Sequence, residues 1–81
     1  MTRRARERDR RLGDALIDLY VDWREEGSAV QLAYERWRKA SRDDRAGAFA
    51  AYNAALDREE RASDVYAAVI RQATPPSPQP A

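Results

Sequence analysis

This chain is expected to fold as an all-α antiparallel hairpin, with helices over about 3–40 and 42–73. Three observations point there. Strong helix formers fill Arg3 to Ala73, with no proline before Pro75. Leu12, Leu16, Leu19 and Trp23 recur with the 4-3-4 spacing of a coiled-coil seam. No run alternates apolar and polar residues for long enough to make a strand.

The first helix carries that seam a long way. Steps of seven from Leu16 reach Trp23, Val30 and Trp37, and steps from Leu12 reach Leu19, Glu26, Ala33 and Ala40. The phase therefore survives Gly27-Ser28, with Glu26 as its one polar member. Two architectures compete at this point. Gly27 followed by Ser28-Ala-Val-Gln31 has the pattern of a helix end and a capping box, which would break the segment and give a three-helix bundle. A continuous helix, straight or kinked, carries Gly27 at about 1 kcal/mol. Retention of phase favours the continuous helix, because a break has no reason to preserve register.

The second helix has a capping signal of its own. Ser41 is suited to its N-cap, with Asp43 and Asp44 in a first turn where the helix dipole favours anions. Its apolar positions are read as Phe49, Tyr52, Leu56, Val65 or Tyr66, and Val69 or Ile70, with Asp57–Arg61 interrupting the stripe. Thr74 precedes Pro75 and is biased away from helical dihedrals, so the helix should end by Ala73. The organisation that follows is one small helical domain over 1–73, its Arg-rich 1–11 free to fray, and a Pro-rich tail over 74–81 expected to be disordered. Pro75 and Pro78 make a formal PxxP match, too short to outweigh a solubilising role.

A repeat runs through both helices. Tyr20-Val-Asp-Trp-Arg24 and Tyr34-Glu-Arg-Trp-Arg38 share one pattern fourteen residues apart, and Tyr52 and Tyr66 stand at the same interval. Fourteen residues are two heptads, about 21 Å of helix. The simplest reading is two core layers facing each other across the hairpin.

Composition narrows the functions available. A chain of 81 residues makes one small domain of marginal stability, and the usual remedies are disulfides, metals or oligomerisation. Cysteine and histidine are both absent, which removes disulfides, thiolate metal sites and the commonest general base. Ser28, Ser41, Ser63 and Ser77 have no histidine to activate them, and no Gly-rich phosphate loop occurs. Catalysis, a cofactor and a small-molecule substrate are accordingly not expected. No run reaches the ~18 apolar residues of a membrane span, and Arg3-Arg4 leads into no apolar segment, so a cytoplasmic location is expected.

Two surfaces remain as candidates for function. Leu16, Tyr20, Trp23, Val30, Tyr34 and Trp37 form an apolar, aromatic stripe, with Ile17, Val21 and Leu32 on adjoining faces that a single hairpin cannot cover. A homodimer giving a four-helix bundle, or an unidentified protein partner, would cover them. The expected function is thus a small, non-catalytic protein–protein interaction module, self-associating through this stripe. The alternative is a nucleic-acid-associated regulator that grips phosphate backbone with Arg3, Arg4, Arg6, Arg8, Arg10 and Arg11. The net charge of +1 gives that reading no general support, and no aromatic interleaves with the arginines to stack on bases. Asp14, Asp18 and Asp22, with Glu25 nearby, repel one another mildly along one helix face and call for arginines from the other helix or a second subunit.

Overall fold

The computed structural model describes residues 2–73, and the expected disorder of the 74–81 tail lies outside that range. Two helices, α1 (Arg3–Lys39) and α2 (Arg45–Ala73), pack as a hairpin, with no strand among the described residues. Thr2 caps α1, its Oγ1 accepting from the Ala5 amide at 3.2 Å. Arg36, Arg38 and Lys39 occupy the last turn, where cations complement the helix dipole.

α1 is continuous across Gly27, so the three-helix alternative is not adopted. Ser28, read as a possible N-cap, instead donates its hydroxyl to the Arg24 carbonyl one turn back at 3.2 Å. That local bond leaves the backbone ladder intact. Apart from its chain neighbours and the backbone of its own helical turns, nothing lies within 4 Å of where a Gly27 side chain would begin, so neither a turn nor a close approach requires glycine there.

α2 begins three residues later than its capping signal implied. Ser41 does act as a cap: its Oγ and its carbonyl both receive the Asp44 amide, at 3.3 and 3.2 Å. What it caps is a single turn over 42–44, and the first α-type bond runs from the Ala48 amide to the Asp44 carbonyl at 3.0 Å. Asp43 and Asp44 therefore lie in the connection, ahead of the first helical turn.

The seam of α1 is the one the spacing gives: Leu12, Leu16, Leu19, Trp23, Glu26, Val30, Ala33, Trp37 and Ala40 are all half-buried. The inner face of α2 differs from expectation. It follows Ala48, Tyr52, Ala55, Glu59, Ala62, Tyr66, Val69 and Ala73, a 4-3 pattern in which every second member up to Ala62, and Ala73, is alanine. Phe49, Val65 and Ile70 fall one position off this line and are exposed, and Leu56 is half-buried at its edge. Asp57–Arg61 does not interrupt the stripe, because Glu59 continues it. The physical reason is volume. Trp23 and Trp37 fill the space between the helices from α1, and alanines opposite let the two backbones approach. Ala55, 1% exposed, is the only fully buried residue among those described.

Register fixes the rest of the shape. Tyr20 meets Tyr66, and Tyr34 meets Tyr52. Extended to the end of α2, this pairing sets Ala73 opposite Gly13. Arg3–Leu12, about 15 Å of helix, therefore projects past the last described residue of α2. Only the residues near Gly13 thus reach the negative C-terminal end of α2.

Candidate interaction site

The repeated Tyr-x-x-Trp pattern builds the same object twice. In one layer Trp23 stacks on Tyr66, with centroids 5.6 Å apart and planes at 27°, while Tyr20 stands edge-on to Trp23 at 6.2 Å and tilted on Tyr66 at 5.9 Å. In the other, Trp37 stacks on Tyr52 at 5.4 Å and 14°, with Tyr34 edge-on to Trp37 at 6.0 Å and tilted on Tyr52 at 5.7 Å. Stacked and edge-on geometries are those the ring quadrupole favours, each worth about 0.5–1.5 kcal/mol beyond area burial. The helix repeat produces the pair: three residues separate Tyr from Trp on one face, and two heptads bring the pattern back to the same side.

Each layer then acquires its own fourth member from α2. Phe49 joins Trp37 at 5.0 Å. Trp23 instead donates its indole N–H to Glu59 Oε1 at 2.7 Å. This satisfies both polar groups of the inner seam at that level. Sequence reading missed Glu59, although a signal was present: one heptad from Tyr52 is Glu59 and the next is Tyr66.

Leu16, Trp23, Val30 and Trp37 lie on the inner seam, whereas Tyr20 and Tyr34 sit at its edge, 45% and 43% exposed. That edge opens onto one broad flank of the hairpin. Ile17, 64% exposed, together with Phe49, Leu56 and Ile70 continues the apolar surface there. Between the two aromatic layers the flank dips into an open groove of about 480 Å³ lined by Trp23, Arg24, Gly27, Ser28, Gln31 and Glu59.

The opposite flank is charged. Asp22, Glu25 and Glu26 of α1 face Arg58 and Arg61 of α2 around a shallow depression, with Arg58 Nε 3.4 Å from Glu26 Oε2. Arginines of the other helix thus lie near Asp22 and Glu25, but the ion pair formed is with Glu26, and Asp14 and Asp18 have none among the described residues. No cluster of three or more acidic side chains among the described residues is placed to hold a metal ion. At the turn end of α1, Arg38 and Lys39 both reach Glu35, at 2.8 and 3.8 Å. The Arg38 hydrogen bond holds the Glu35 carboxyl below its ordinary range, and Arg38 is raised in return.

The six arginines of the projecting arm are all exposed. Arg3 meets Glu7 at 3.4 Å, a solvent-facing pair of little energetic weight, and no other ion pair forms in the arm among the described residues. No described helix is long and apolar enough to cross a membrane. Compared with family models, curated proteins and solved structures, the chain matches none.

Proposed function

We propose that this chain is a cytoplasmic, non-catalytic helical interaction module that self-associates through its aromatic stripe and presents helix surfaces to another protein. The observation that carries this reading is the poverty of the hairpin's own core. Two helices totalling 66 residues bury one alanine completely, and Ile17, Tyr20, Val21, Tyr34 and Phe49 stay more than two-fifths exposed. Large apolar surfaces of this kind mark protein contacts. The test is thermal unfolding at chain concentrations spread over two decades. Folding coupled to association makes the midpoint rise with concentration. A midpoint that stays fixed, with a monomeric mass at tens of micromolar, would remove the self-association.

A second reading rests on the projecting arm. Six arginines on a helical stub that α2 does not cover are placed to reach phosphates from several sides. Binding to a labelled DNA or RNA duplex should then weaken linearly with log salt. Replacing Arg3, Arg4, Arg6 and Arg8 by Gln should flatten that slope while leaving helicity unchanged. Equal affinity before and after the replacement rules this reading out.

A further inference from the structure

We infer that the aromatic flank is covered by the same flank of a second copy, the hairpins stacked with their connecting turns at the same end, so that α1 of each lies against α2 of the other. This rests on the self-association proposed above and adds which surface is used and how the copies are set.

Area supports a second copy. A compact monomer of 9.3 kDa exposes about 5,000 Å², whereas this chain exposes 7031 Å². Even at the full exposure of an extended chain, the nine residues outside the described range contribute only about 1,200 Å². The remaining excess, roughly 800 Å², is surface that the hairpin leaves open along its flanks and its projecting arm.

The apolar residues say which flank. Ile17, Tyr20, Tyr34, Phe49 and Ile70 open onto the aromatic one, and Val21 adjoins Ile17 one turn on. Only Leu32 and Val65 stand on the other flank, where Arg58 and Glu26 are already paired.

Charge decides the setting. Arg24 of α1 and Glu60 of α2 are both exposed, lie between the two aromatic layers, and have no ion-pair partner among the described residues. The register that pairs Tyr20 with Tyr66 sets Glu60 level with Glu26, within a turn of Arg24. With turns at the same end, the two-fold axis runs along the hairpin. Arg24 of each copy then meets Glu60 of the other, and each aromatic layer meets its own counterpart. With turns at opposite ends, α2 would lie on α2, and the midpoint between the layers would bring Glu60 against Glu60. The favoured setting does gather both arginine arms at one end. They sit on diagonal helices about 11–14 Å apart, given 8–10 Å between neighbouring axes, which exceeds the ~8 Å screening length at physiological salt.

Sedimentation equilibrium on the full chain tests all of this, with circular dichroism to confirm that each variant stays helical. The wild type should give twice 9.3 kDa at tens of micromolar. Ile17→Glu and Ile70→Glu should each raise the dissociation constant at least tenfold, and Leu32→Glu should leave it unchanged. Arg24→Glu should weaken the dimer, and adding Glu60→Arg should restore it. A dimer that tolerates Ile17→Glu and Ile70→Glu but is lost with Leu32→Glu overturns the choice of flank, leaving self-association standing. Failure of the charge reversal to rescue overturns the setting of the copies. A wild type that remains at 9.3 kDa overturns the self-association itself.

Discussion

The two aromatic layers invite direct comparison, because α1 supplies the same residues to both. Tyr20 and Trp23 are repeated by Tyr34 and Trp37, and each pair closes on a tyrosine of α2 with ring separations that agree to within a few tenths of an ångström. The layers differ in what α2 adds. Phe49 completes the layer near the turn, making it wholly aromatic. The position fourteen residues later is Ser63, and that layer is completed by Glu59 on the indole nitrogen instead. A repeated motif thus fixes the geometry of a layer, while residues outside the motif fix its chemistry.

Substitutions in the two layers should separate these contributions, all measured by chemical denaturation at one fixed chain concentration. The largest effect is expected for Trp37→Ala. A fully buried Trp→Ala change costs about 3–5 kcal/mol, so this half-buried ring, which touches three others, should cost about 2–4 kcal/mol. Trp23→Ala should cost somewhat less, because only two rings touch it and Glu59, half-buried, regains water. The opposite order would mean that the indole–carboxylate bond outweighs Phe49.

A sharper contrast comes from Trp→Phe, which keeps a ring and deletes the N–H. Trp23→Phe leaves Glu59 without its donor and should cost about 1 kcal/mol more than Trp37→Phe, whose indole has no hydrogen-bond partner among the described residues. Equal costs would show that the 2.7 Å bond contributes nothing in solution.

Gly27→Ala probes whether the two layers share one helix. In a continuous helix with open space at that position, the change should stabilise by about 0.5–1 kcal/mol. A helix that ended at Gly27 would be destabilised instead.

The smallest effect belongs to the Glu35–Arg38 pair that flanks the turn-side layer. The folded-state pKa of Glu35 is lowered, so its contribution is present above the ordinary carboxylate pKa and is lost as pH falls through the lowered value. The difference in stability between wild type and Glu35→Gln should therefore shrink on acidification below about pH 4.5. A difference that persisted in acid would assign it to helix propensity.

Much of this was legible beforehand. Helix formers without a break and the α1 seam from Leu12 to Ala40 appear in the structure as their spacing required, whereas Ser41 caps the turn over 42–44 and not α2 itself. α2 was harder to read for a specific reason. Half of its inner line is alanine, a residue equally at home inside and outside, so the larger Phe49, Leu56, Val65 and Ile70 drew attention to positions one step away. Glu59 was hidden because a carboxylate on an inner seam makes sense only with a donor opposite, and Trp23 lies thirty-six residues away in the chain.

By itself, then, the sequence determined that the chain is helical, where its two helices divide, and that Tyr-x-x-Trp recurs as two layers. These depend on propensity and period, which act over a few turns. Only the tertiary structure decided that alanines and Glu59 line α2, and that the arginine arm projects beyond its neighbour. Those outcomes depend on how far one helix must slide along the other to fit two indoles against small residues, and that fit is a property of the pair of helices.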